Sequence, residues 1–397
     1  MKNSVKQHAS ALTAVLACLA LALVLYHSLA GGTLLQSSPY NSYALQAENW
    51  LAGRNNIANG ENYTWLELAI YQGRYYQSFP PVPAVLMLPF VAAAGEWSAI
   101  PGNLIAMGLA LLCAGGVYAC CMRGGMQPVT CAFFTLFVSM GSNVFWMSTS
   151  DGVWFLAQVC ALGFAFWGLF FAQGGNAVQD AAASLCMALA VGCRPFYALL
   201  LACWLGWQFY QRRSLKRILP ALLPAVVMAA CMMAYNFARF GSVTEFGHNY
   251  LPEFVRAENG QFSLTYLVPN LLQLLRPVTL DAQGQLHFEI YNGFLFFAAN
   301  PLFLLAMVRG LLLRLPGHQA EVQVSVPLPS AGWFVAAMCL LMTCLTCMHH
   351  TLGGWQFGAR YMVDLFPWLF VWCALHAEYI KQTMPLQPGM DIQAEMG

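Results

Sequence analysis

Charge is what this sequence has least of. Of its 397 residues, 8% are Asp, Glu, Lys or Arg, against 59% hydrophobic, and the mean hydropathy is +0.58. A water-soluble domain carries about a quarter of its residues charged, so a soluble fold is excluded. The formal net charge of +1 leaves no concentrated basic surface, which excludes nucleic acid as a partner. Lysine is scarcer still, with Lys2, Lys6, Lys216 and Lys381 the whole complement. No internal repeat and no low-complexity segment is present, so solenoid architectures are excluded too.

What is abundant is apolar sequence. A helix needs about 20 apolar residues to cross a bilayer, and backbone in lipid must hydrogen-bond to itself, which favours helices. Candidate spans lie near residues 9–30, 81–96, 101–121, 128–148, 152–173, 181–208, 219–239, 291–313, 331–350 and 363–380. The expectation is an all-α fold: a polytopic transmembrane helical bundle of about ten spans, with residues 1–397 forming a single membrane domain. The first run follows Lys2 and Lys6 and ends on Ser28-Leu29-Ala30, yet from Ala9 to Ala30 it exceeds a signal-peptide core. It reads as an uncleaved first helix.

Cysteine, at 14 residues, falls almost wholly inside the apolar runs, as at Cys120 with Cys121, and reads as small apolar packing. Cys344 and Cys347 lie within a span with no second ligand pair, so no metal site is assigned.

Basic residues set the orientation. With the N-terminus inside, ten spans place Lys2, Lys6, the basic loop at 209–218 (Arg212, Arg213, Lys216, Arg217), Arg309, Arg314 and Lys381 in the cytoplasm. Both termini are then cytoplasmic, as in a multi-pass protein of a bacterial cytoplasmic membrane. Gly317 to Ser330 and the tail at 383–397 read as polar linkers. Two extracytoplasmic loops remain, 31–80 and 240–290, whose basic residues are all arginine. Arginine without lysine points to bidentate recognition of phosphate or carboxylate, or to plain snorkelling at the interface.

In the first loop, Ser38 can cap a helix with Pro39 in its first turn and Gly53 at its end. Tyr40, Tyr43, Ala44, Ala47, Trp50 and Leu51 share one face, leaving Asn41, Gln46, Glu48 and Asn49 on the rest, the pattern of an amphipathic interfacial helix. Further on, Glu67, Arg74, Tyr75 and Tyr76 stand just before Pro80, Pro81 and Pro83, where an apolar run begins. A carboxylate at a partly desolvated mouth can serve as general base, and a guanidinium can hold a phosphate leaving group. The bland alternative is an ion pair of Glu67 with Arg74 that anchors the loop. Arg239 ends the seventh run and Glu245 and His248 follow it, and Trp355, Gln356, Arg360 and Asp364 lie at the outer end of the last. The threading places all three groups on one side of the membrane.

Four segments resemble the GT-C superfamily of membrane glycosyltransferases: YALQAENWLAGR from Tyr43 to Arg54, GRYYQSFPPVPAVLMLPF from Gly73 to Phe90, YNFARFGS from Tyr235 to Ser242 and GARYMVDLFP from Gly358 to Pro367. They cover well under half the chain. The resemblance implies a GT-C-like bundle around a site for a polyprenyl-phosphate sugar lipid, and an inverting transfer of the sugar to an acceptor at the extracytoplasmic face. Members carry an acid just after the first helix, where this chain has Pro39, Tyr40 and Asn41. The resemblance therefore puts Glu67 forward as the base, with Glu48 and Glu61 behind it. Asn41, Arg74, Tyr75, Tyr76, Arg239, Glu245, His248, Trp355, Gln356 and Arg360 are the candidate substrate contacts. No cofactor is required by the residues; the superfamily admits a divalent metal, which no carboxylate cluster here demands. Two other readings stand beside the enzyme: a catalytically inactive GT-C-like protein that binds lipid or a partner, and a transporter or lipid flippase. The transporter reading rests on Arg194-Pro195 in the middle of an apolar run, with Asp151, Asp180 or a backbone carbonyl as the structural partner of Arg194.

Overall fold

The structure is a computed structural model that describes residues 2–312 and 332–372. Arg314, Lys381, the linker at Gly317 to Ser330, the tail at 383–397 and residues 373–380 of the last candidate span lie outside the described residues. In chain order the helices are α1 (Lys2–Leu29), α2 (Ser42–Leu51), α3 (Val82–Ala94), α4 (Gly102–Arg123), α5 (Pro128–Ser139), the single turn α6 (Val144–Met147), α7 (Val153–Ala172), α8 (Ala177–Val191), α9 (Ala198–Arg212) and α10 (Leu215–Phe240). After these come α11 (Pro252–Arg256), α12 (Leu267–Leu274), α13 (Phe296–Ala299), α14 (Pro301–Leu312), α15 (Gly332–Cys347) and a 3-10 segment, Arg360–Leu365. Among the described residues, four helices are long and apolar enough to cross a membrane: Ser4–Leu29, Gly102–Arg123, Val153–Ala172 and Ile218–Phe240. Two short antiparallel hairpins, β1 (Leu68–Tyr71) with β2 (Arg74–Gln77) and β3 (Thr279–Leu280) with β4 (Leu286–His287), depart from the all-α expectation.

Side-chain contacts between distant segments fix the direction of each helix. His8 on α1 meets the Tyr118 hydroxyl on α4 at 3.1 Å, while Asn103 at the start of α4 donates to the Thr33 carbonyl just past α1 at 2.9 Å. The two helices are thus antiparallel, and Arg123 shares an end with Lys6. Just beyond α7, Gln173 donates to Cys120 Sγ at 3.3 Å, so α7 also finishes at this lysine end. Its start lies at the opposite, loop-bearing end, where the Ser38 amide donates to Asp151 at 2.7 Å. Asp180 at the start of α8 pairs at 2.6 Å with Arg212 at the end of α9, which closes α8 and α9 into a helical hairpin.

That pairing changes the threading in two places. Residues 181–208 are not one span but two antiparallel helices. Gly192 closes α8, and Pro195 forces Arg194 into an extended conformation at φ −148° and ψ 116°, because the proline ring disfavours a helical residue before it. The apolar run at 81–96 does not traverse the bundle. The Val82 amide donates to the Gly192 carbonyl at the hairpin tip, and Trp97 beyond α3 packs on Tyr63 of the first loop, so both ends of this 13-residue helix lie at the loop end. The two changes offset one another, and α10 still ends where the threading put it. Between them they move Arg123 to the lysine end and Asp151 to the loop end.

The core lies between α4, α7 and α8, where α7 is buried along most of its length. Small residues permit that close approach. A side chain at Gly168 would meet Met187 of α8, and one at Gly163 would press on Cys113 of α4.

The first loop folds into a packed cap. Asn41, not Ser38, caps α2, accepting from the Ala44 amide at 2.9 Å. Gln46 and Asn49, expected on a wet face, are buried beside Tyr43, Ala44 and Ala47, so α2 is enclosed and not interfacial. Gln72 and Gly73 both take positive φ, 50° and 73°, the two-residue turn whose twist suits a hairpin, and β1 and β2 close around it.

Candidate active-site cleft

Alternation along an extended backbone orients Glu67. Leu66 and Leu68 point into a small apolar cluster with Leu45 and Ile57, which sends the intervening side chain to the other face. Glu67 there lines a cavity of about 610 Å³ at the loop end. Burial pushes its carboxyl above the ordinary value; a hydrogen bond from Trp154 and the charge of Arg360 oppose the shift. Glu253, Trp65, Tyr291 and Trp355 line the same cavity. A neighbouring compartment of about 330 Å³ is lined by Arg194, Glu245, Asn249 and Gln261. The two share Phe79, Trp154, His248, His349, Arg360 and Tyr361, and so adjoin as two compartments of the loop-end cleft.

The arginines of this end differ in what they have to spare. The Arg360 guanidinium donates through Nε (3.1 Å) and Nη2 (2.6 Å) to the Gly353 carbonyl and through Nη1 (3.1 Å) to Gln158 Oε1. Its backbone amide donates to Gln356 Oε1 at 2.6 Å. Arg360 and Gln356 therefore shape the 352–356 turn that holds Trp355, which is 68% exposed at the cleft mouth. Arg239 donates to the Gln77 carbonyl at 2.6 Å and to Asn236 at 3.0 Å beneath the Tyr235 and Phe240 rings, ties β2 to α10, and does not line the cleft. Arg194, by contrast, gives Nε and Nη2 to Asp364 at 2.7 to 3.1 Å, a pairing that does not use Nη1. Its structural partner is thus Asp364, not Asp151 or Asp180.

The histidines of the cleft are neutral. The only proton available between His349 Nδ1 and the Thr351 carbonyl, 2.7 Å apart, is on the ring, which leaves Nε2 as a lone-pair acceptor toward Gln261 at 3.3 Å. Burial lowers the pKa of His349 to about 4, and burial with the charge of its neighbours does the same to His248.

Of the sequence candidates, the fold brings Glu67, Glu245, His248, Trp355 and Arg360 to the cleft. The others stand elsewhere. Asn41 is buried as the α2 cap, Gln356 supports a turn, and Tyr76 packs on Phe240. Arg74 is exposed at the hairpin tip, Tyr75 bridges to Ile57, Glu61 is exposed on a turn, and Glu48 rides half-buried on α2. The sequence reading did not name Glu253, His349 and Trp154 as candidates, although Glu253 and His349 fall in the segments 235–254 and 349–367 that carry Arg239 and Arg360, and it had marked Arg194 for the transporter reading. Asp151 was missed in another capacity. Its carboxylate accepts from Ser37 Oγ (2.6 Å), the Ser38 amide (2.7 Å) and Asn41 Nδ2 (2.7 Å), and so clasps the stretch after α1 that has no acid of its own.

No family model and no curated protein matches the chain. By fold it is similar to the oligosaccharyltransferase of the archaeon Archaeoglobus fulgidus. The apo form aligns with 14% identity and a TM-score of 0.48 over 94% of this chain and 51% of that one. The same enzyme, AglB, in complex with an inhibitory peptide and a dolichol-phosphate aligns with 13% identity and a TM-score of 0.47 over 94% and 50%. The chain spans about half the length of these solved structures. Among the described residues, no group of His, Cys, Asp and Glu is arranged to hold a metal ion.

Proposed function

We propose that this chain is a membrane glycosyltransferase that moves a sugar from a polyprenyl-phosphate donor to a hydroxyl acceptor with inversion, at the face opposite the lysine-bearing end. The observation that carries the reading is Glu67, a partly buried carboxyl with a raised pKa, in a compartment that it shares with Arg360 and that adjoins the one lined by Arg194. In this mechanism Glu67 takes the acceptor proton as the acceptor oxygen bonds to the anomeric carbon. The bond from that carbon to the phosphate oxygen breaks, and its electron pair leaves on the polyprenyl phosphate. Arg194 replaces Arg239 as the cation placed to meet that charge, since Arg239 lines neither compartment. A positioned general base contributes typically 10²- to 10⁴-fold. Glu67→Gln is expected to lower sugar transfer in membrane vesicles by at least about 100-fold with the protein still folded. Full activity would remove Glu67 from the role.

A second reading, a relative that binds lipid without catalysis, is favoured by one observation: three of the five N–H donors of Arg360 are directed at protein acceptors. The same assay separates the two readings, because a binding protein shows no transfer in either form.

A further inference from the structure

The larger compartment is lined by indole and phenol rings, among them Tyr40, Trp65, Trp146, Tyr291 and Trp355. Trp355 is 68% exposed, and its place is built: it bridges in strand fashion to Tyr291, with the rings 5.7 Å apart at 71°. Trp65, 47% exposed, is fixed by its indole N–H, which donates to the Pro39 carbonyl at 3.0 Å. Rigid rings held open to solvent meet the ligand at low entropic cost. The carboxylates Glu67 and Glu253 line the same compartment, and its one arginine, Arg360, gives three of its five N–H donors to the Gly353 carbonyl and Gln158.

We infer that this compartment is the acceptor subsite and that the acceptor it takes is a saccharide, neutral or amine-bearing, and not a peptide. A pyranose offers an apolar C–H face to a ring and hydroxyl donors at its edge, which matches rings beside acceptor-only carboxylates. An acidic sugar would meet two carboxylates, Glu67 and Glu253, against the single cation Arg360 on this wall. A cavity of about 610 Å³ lies within the range that holds small ligands. The inference deepens the transferase reading and rests on it for the word acceptor; the binding chemistry stands alone.

The test uses the full chain in lipid nanodiscs with a polyprenyl phosphate present, and saturation-transfer NMR against four probes: cellobiose, its diamino analogue, a glucuronate-containing disaccharide and a Ser-containing hexapeptide. Cellobiose and the diamino sugar are expected to bind, and the glucuronate probe to bind at least about tenfold more weakly. Trp355→Ala should weaken cellobiose about tenfold, equivalent to about 1.4 kcal/mol, and Trp355→Phe much less. A Trp207→Ala control on α9, where the ring stacks on Tyr210, should leave binding unchanged. Absence of saturable disaccharide binding, indifference to Trp355→Ala in a variant with an unchanged melting profile, or preference for the hexapeptide would each overturn the inference. Saccharide binding without transfer would sink the transferase reading alone, and transfer to the peptide would sink the saccharide subsite alone.

Discussion

Arg194 and Asp364 form a buried pair in which each is the other's compensation: the side chains are 13% and 1% exposed, with Nη2 to Oδ2 at 2.7 Å. Removing one partner strands the other charge, which typically costs about 3 to 5 kcal/mol. Arg194→Ala and Asp364→Ala should therefore each lower stability by that order in denaturant melts, and the double variant by clearly less than their sum. The histidines carry a pH prediction. Their folded pKa values of about 4 lie below the ordinary 6.5, so the unfolded chain binds their protons first. Their contribution is intact above about pH 6.5 and is lost as pH falls toward 4, a window that a thermal-melt series reads directly. Glu67 shifts the other way. If it is the base, transfer should rise with pH through an ionisation above the usual Glu value, and Glu67→Gln should abolish that limb.

At the scale of elements, the first loop is held by the double use of Asn41, whose Oδ1 caps α2 and whose Nδ2 donates to Asp151. Asn41→Ala removes both. The cap alone is worth about 1 kcal/mol, and a buried carboxylate short of a donor costs about 1 to 3 kcal/mol more. Asn41→Asp should be worse than Asn41→Ala, because it sets a second carboxylate against Asp151, and comparing the two melting curves decides whether this clasp exists. The sequence pointed to a helix here, and one formed. Its cap moved from Ser38, whose Oγ accepts from the Tyr40 amide before the helix begins, to Asn41, which is held in place by Asp151, a partner 110 residues away that no local pattern reveals. The hairpin of β1 and β2 was more legible than the reading made it, since Gln72-Gly73 between Ile70-Tyr71 and Tyr75-Tyr76 is a two-residue turn between strand-forming residues. The broken helix was marked by Arg194-Pro195. Whether such a break kinks a span or reverses it depends on where Arg212 lands, and it lands on Asp180.

For the whole molecule, the course of the helices is open to experiment. A cysteine introduced at Gly125 should label from the same side of the membrane as the N-terminus, and one at Ser98 from the opposite side. The threading drawn from hydropathy predicts the reverse for both positions. Impermeant maleimide on oriented vesicles, in a background lacking the exposed native thiols Cys18 and Cys231, distinguishes the two.

Composition and periodicity by themselves determined that this chain is built of apolar helices, that lysine gathers at one end, and that polar chemistry concentrates in the two long loops and before Pro367. Those properties follow from transfer free energies summed along a segment, and a segment's sum needs no knowledge of its neighbours. Which apolar runs go through and which lie across, and which arginines are free to meet a ligand, was decided only in three dimensions. A guanidinium has the same formula whether Gly353, Gln77 or Asp364 holds it, and those partners come together only when the helices have packed. Glu67 was visible as a residue type; the cleft that raises its pKa belongs to the fold, because desolvation is a property of the surroundings.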